Sequence, residues 1–83
     1  MMIPTVHSNG DGKRTLLENY EKAGQAIQMA MDDLRQTAPN ARNFYVQGND
    51  AFEKAVFEHA VRMEKLASVH DEIVEIYTEI SRQ

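Results

Sequence analysis

Two long stretches of the chain repeat apolar residues at alternating steps of three and four, and that spacing leaves few folds open. In the first, Leu17, Tyr20, Gly24, Ile27, Met31 and Leu34 are separated by 3, 4, 3, 4 and 3 residues. In the second, Phe52, Val56, His59, Met63, Leu66, His70, Ile73, Tyr77 and Ile80 follow at 4, 3, 4, 3, 4, 3, 4 and 3. Only an α-helix gathers positions so spaced into one narrow stripe, and a stripe that narrow is a seam for packing against another helix. The remaining faces carry mostly Glu, Lys, Gln, Asp and Ala. The expected fold is therefore all-α, an antiparallel, coiled-coil-like two-helix hairpin.

Punctuation residues set the expected boundaries of a single domain over 1–83. Residues 1–11 form an arm, in which Pro4 resists helix and Ser8-Asn9-Gly10-Asp11-Gly12 is turn chemistry. Helix 1 is expected over 12–37, with Asp11 as its N-cap or, by a capping box at Thr15 and Glu18, a later start. Pro39 disfavours helical geometry at Ala38 and ends it. A linker over 38–49 leads to helix 2 over 50–82, capped by Asn49 or Asp50 with Glu53 in the reciprocal position. At 1.5 Å per residue the helices span about 40 Å and slightly under 50 Å. Folding back about the linker places Leu34 near the Phe52–Val56 turn and Leu17 near Ile73. The last turn of helix 2, with Ile76 and Ile80, then projects past the start of helix 1, where Ile3 and Val6 of the arm can cover it.

A hairpin alone does not use all the apolar surface. Phe57 and Val61 lie opposite the helix 2 seam, one turn apart, and need either the linker or a second chain to cover them. With 83 residues and no cysteine there is little core and no disulfide to compensate. Association into a four-helix bundle or larger homo-oligomer is the economical expectation, with Phe57 and Val61 as the oligomer surface.

Composition and spacing point away from several functions. The formal charge of −4 argues against nucleic-acid binding, which favours a basic stripe. No apolar run approaches the ~18 residues that cross a bilayer, and Met1–Thr5 has no signal-peptide pattern. A cytoplasmic protein is the expectation. His59 and His70 sit on the seam three turns apart, too far to share a metal, and belong to no Glu-x-x-His pair. They read as seam polar positions that fix register. Gly24 interrupts the other seam at a cost of roughly 1 kcal/mol, which a close helix crossing would explain. No serine has a nucleophile-elbow context, and the carboxylates of helix 2 read as a solvated acidic face. No catalytic, cofactor or metal residues are assigned, and the chain is not expected to be an enzyme. Asn9-Gly10-Asp11-Gly12-Lys13-Arg14 superficially suggests a phosphate loop but lacks its spacing.

The linker is the least ordinary stretch. Pro39-Asn40-Ala41-Arg42-Asn43-Phe44-Tyr45-Val46-Gln47-Gly48 combines an arginine, two aromatics and three amides. Such residues dominate recognition surfaces, so Asn40, Arg42, Asn43, Phe44, Tyr45 and Gln47 are candidate partner or ligand contacts. They would equally well close turns and cap the end of a bundle.

Three segments in order also carry a resemblance: His7-Ser8-Asn9-Gly10, the linker, and Glu58-His59-Ala60-Val61-Arg62. Together they resemble a group of short, mostly uncharacterised hairpin proteins encoded by bacteriophages and prophages. In that group a His-x-Asn-Gly arm, a Pro-Asn-x-Arg-Asp-Tyr-Tyr-x-Gln-Gly-like linker and Glu-His-x-x-Arg recur. This chain departs at Asn43-Phe44, where the group carries Asp-Tyr, and in the Asp11-Gly12 step. The resemblance implies a bacterial host cytoplasm and brings no activity. Three functions fit: an accessory factor that binds and antagonises a host defence or regulatory protein, an oligomeric sequestrant of a small anionic ligand such as a nucleotide, or a virion assembly component.

Overall fold

In the computed structural model, which describes residues 1–83, the chain is a two-helix hairpin with no strands. Helix α1 runs Lys13–Arg35 and α2 runs Ala51–Ser81, joined by a linker containing two single 3₁₀ turns, Ala41–Asn43 and Tyr45–Gln47. The helices pack against each other along the two seams.

Both helices are a little shorter than their periodicity suggests, and their ends show why. Gly12, not Asp11, is the N-cap of α1, with extended backbone (φ −67°, ψ 158°) and no side-chain capping bond. Its carbonyl accepts the first helical bond from the Leu16 amide at 3.0 Å. The box at Thr15 is not used, and Glu18 pairs with Arg14 at 3.0 Å on the surface. At the other end the amides of Gln36, Thr37 and Ala38 bond three residues back, to the carbonyls of Asp33, Leu34 and Arg35. That tightened last turn stops the α-helix at Arg35, ahead of Pro39. Asp50 does stand at the N-cap of α2, but its side chain makes no capping bond. Its carboxylate faces Lys54 Nζ at 3.2 Å instead.

The register differs from expectation by one heptad. A Cβ built on Gly24 would lie 3.6 Å from Ile73 Cγ2, so Gly24 faces Ile73 where Leu17 was expected. Leu17, seven residues before Gly24, is therefore level with Ile80, seven after Ile73. The overhang accordingly moves to the other end. The start of α1 is flush with the end of α2, and the first turns of α2, from Ala51 to about Val61, run past the end of α1 by roughly 16 Å.

The arm closes the flush end. Gln83 accepts a hydrogen bond from the Val6 amide (2.8 Å) and donates one to the Pro4 carbonyl (2.7 Å). Its side-chain amide thus serves the arm as a neighbouring peptide group would. Ile80 beneath is the single fully buried side chain, and Ile3, Pro4 and Val6 are half-buried. Shielding of the last α2 turn by the arm is thus as expected, although that turn does not project.

One buried residue in 83 is a thin core. The rod measures 61 × 20 × 17 Å, with a radius of gyration of 18.4 Å, against about 12 Å for a compact chain of this length. Its accessible surface is 6375 Å², where a compact monomer of this mass exposes about 5,000 Å². The difference, on the order of 1,300 Å², is apolar and polar surface that the hairpin fold alone leaves in water.

Candidate functional site

The α2 overhang and the linker build a groove together. With no α1 beside it, the start of α2 presents Ala55, Glu58, His59 and Arg62, a stripe at helical spacing, to whatever the linker supplies. The linker folds across this stripe in a defined shape. The Asn40 side-chain oxygen accepts from the Arg42 amide at 3.0 Å, fixing the first 3₁₀ turn. The Asn43 and Phe44 amides then close it on the carbonyls of Asn40 and Ala41. A second turn follows, with the Gln47 amide on the Phe44 carbonyl at 3.0 Å. The chain leaves it through Gly48 at φ +122°, a conformation that L-residues with a Cβ rarely adopt.

The resulting groove has a volume of about 440 Å³, walled by residues Thr37 to Asn40, Asn43 and Phe44 on one side and the α2 stripe on the other. Of the candidate linker contacts, Asn40, Asn43 and Phe44 line this groove. Arg42, Tyr45 and Gln47 are not part of its lining; they stand exposed outside it, with Tyr45 at 76% and Val46 at 74% of their free surface. His59 and Arg62 join from α2, and Arg62 lies 3.4 Å from Glu58 in an exposed pair. Such surface pairs contribute at most about 1 kcal/mol, so the guanidinium is available to an incoming acceptor at little cost.

Two of the three segments behind the phage-type resemblance thus meet in one groove. The third, His7-Ser8-Asn9-Gly10, lies at the opposite end of the rod. There it closes its own turn, with Gly10 N bonded to His7 O and Asn9 N to His7 Nδ1, each at 3.1 Å.

A second groove was not foreseen. It has a volume of about 330 Å³ and lies on the seam between the helices, where Tyr20, Gly24, His70, Ile73 and Tyr77 surround a space edged by Glu21, Gln25 and Val74. The missing side chain of Gly24 helps to open it. A Cβ there would be in ordinary van der Waals contact with Ile73, so a close crossing does not require the glycine. The cue in the sequence was Gly24 flanked by tyrosine on its own seam, with a tyrosine on the facing seam.

Of the two histidines expected on the packed seam, His70 faces α1 on the wall of the seam groove, whereas His59 lies in the overhang, past the end of α1, on the wall of the linker groove; both are half-buried. Phe57 is 70% exposed and Val61 half-buried. The two border a shallow hollow of about 300 Å³ with Glu58, Arg62 and Lys65. No linker residue lines that hollow, so the linker leaves this face open. No three His, Asp or Glu side chains converge as a metal-ligand cluster, and no helix is long and apolar enough to cross a membrane. What the linker groove offers is recognition chemistry: guanidinium, imidazole and amide donors, one carboxylate and an aromatic wall.

Comparison with protein-family models, curated proteins and solved structures gives no match.

Proposed function

We propose that the chain is a non-catalytic binding protein that works as an oligomer and takes a partner protein at its linker end. The observation that carries this reading is the convergence of the linker with Glu58, His59 and Arg62 in one groove, beside the exposed Tyr45 and Val46. Aromatic and arginine side chains around a concave site are the usual anchors of a protein contact. Taken with the phage-type resemblance of the segments that meet there, the partner is a host defence or regulatory protein that the chain blocks. The test is affinity capture from bacterial lysate by the full chain, followed by titration of the captured partner. Arg62→Ala with Tyr45→Ala should weaken that partner at least tenfold, while Lys22→Ala, on the outside of α1, leaves it unchanged. Equal binding by all three proteins would refute the assignment to the linker end.

A second reading rests on the polar wall of the same groove. Arg62, His59, Asn40 and Asn43 supply donors and Phe44 a ring face, in a volume within the range of small-molecule sites. A small anion with an aromatic part, such as a nucleotide, matches that set. Thermal-shift measurements with nucleotides at saturating concentration decide it, because a ligand bound only by the native state must raise the melting temperature.

A further inference from the structure

The overhanging part of α2 lacks a helix on one side because α1 ends early, and its outer face has a chemistry that fits only certain neighbours. Lys54, Phe57, Val61 and Glu64 lie within one strip of about 80° on that face. Phe57 and Lys54 are largely exposed, Glu64 is exposed, and the linker is on another side of the helix. Numbering along the strip has a symmetry. Phe57 and Val61 are equidistant from residue 59, and so are Lys54 and Glu64.

From this we infer that the occupant of the face is a second copy of the chain, docked antiparallel, α2 on α2, about a twofold axis level with residue 59. That axis sets Phe57 of each copy against Val61 of the other and Lys54 against Glu64. The centre is apolar, and each end carries the same Lys54–Glu64 ion pair. A parallel arrangement in register sets Lys54 on Lys54 and Glu64 on Glu64 and is repelled. An isologous contact needs this kind of self-complementarity, in which residue i meets j and j meets i. Lys54 gives up only its exposed pair with Asp50, which contributes little. The Phe57 ring of one copy fills the hollow beside Phe57 and Val61 of the other.

This rests on the oligomeric reading above but replaces the compact bundle with a different shape. Two rods overlapping only at their linker ends form a particle whose helices alone span roughly 75 Å by helix rise, with both linker grooves near its middle. A four-helix bundle of fully overlapped hairpins keeps the 61 Å of one rod.

Sedimentation equilibrium and small-angle scattering on the full chain at about 100 μM test the inference. The expected result is twice the 9.5 kDa mass of one chain and the longer maximum dimension. Phe57→Asp should weaken association roughly a thousandfold, two anchors being lost per dimer at about thirtyfold each, with helicity unchanged because the side chain is exposed. Lys54→Glu should weaken it, and Lys54→Glu combined with Glu64→Lys should restore it. A monomeric parent protein would overturn both this inference and the oligomeric reading. An oligomer of 61 Å length, one that survives Phe57→Asp, or failure of the charge exchange to rescue would overturn the antiparallel dimer alone. None of these measurements depends on the partner sought at the linker groove.

Discussion

Replacing Gly24 by alanine should make the protein more stable. Glycine inside a helix costs about 1 kcal/mol relative to alanine, because its unfolded backbone has more freedom to lose. The cost is normally tolerated where a side chain would collide, yet here an added Cβ meets its nearest neighbour, Ile73 Cγ2, at 3.6 Å. That is contact without overlap, so the helix-propensity gain survives and a little dispersion energy adds to it. The added methyl also narrows the groove between Tyr20 and Tyr77. The expected gain is about 1 kcal/mol, which in a domain of this size raises the melting temperature by about 4–8 °C. Urea unfolding followed by circular dichroism, at one fixed protein concentration, should show a higher midpoint with an unchanged slope. A midpoint at or below that of the parent would refute the reasoning. It would mean that the helices approach more closely at this level than the Gly24–Ile73 distance allows, and that glycine is needed for packing after all.

Two further perturbations probe the ends of the rod. Gln83→Ala removes both bonds that hold the arm, and should accelerate exchange of the Val6 amide by about fivefold to tenfold, corresponding to about 1 kcal/mol of lost protection. Unchanged exchange would show that the arm is held by Ile3 and Val6 alone. Gly48→Ala forces a Cβ into backbone at φ +122° and should cost about 1–2 kcal/mol in urea unfolding. A neutral outcome there would show that the linker relaxes to another path into α2.

Much of this architecture was legible in the residue spacing, because burying a stripe at steps of three and four has one local solution. The existence, faces and approximate ends of both helices follow from it. Register does not. A heptad seam matches itself after a slip of seven residues, so Leu17 against Ile73 and Leu17 against Ile80 satisfy the same pattern. What separates them lies outside the pattern: in the observed register Ile80 lies under the arm that Gln83 ties down, and the linker has room to fold against the start of α2. Gln83 itself gives no signal in a periodicity, since its role is to complete the hydrogen bonding of a distant backbone. The caps were legible only in part, Asp50 standing at the N-cap of α2 as expected and Asp11 not at that of α1. Asp11 and Asp50 are good cap residues by type, but Gly12 already provides the required backbone, and Lys54 attracts the Asp50 carboxylate. In the linker, composition singled out the stretch that walls the groove, while the division between Asn40, Asn43 and Phe44 inside it and Arg42, Tyr45 and Gln47 outside it is set by the two 3₁₀ turns.

The α2 overhang gives the rod two regions of unequal cooperativity. Along the shaft every turn of α2 is secured by α1, so opening it means breaking the seam. From Ala51 to about Val61 the helix is secured only by the linker, which holds itself in place with a few local bonds. With less packing to break, this end is expected to open at a lower free energy than the shaft. Any molecule that docks there, whether on the groove or on the Phe57 face, would hold closed the part of α2 that has the least packing of its own. Because both surfaces belong to the same segment, occupying one would stiffen the other. Ligands on the groove and on the Phe57 face would therefore be coupled in the favourable direction even where the two surfaces share no contact.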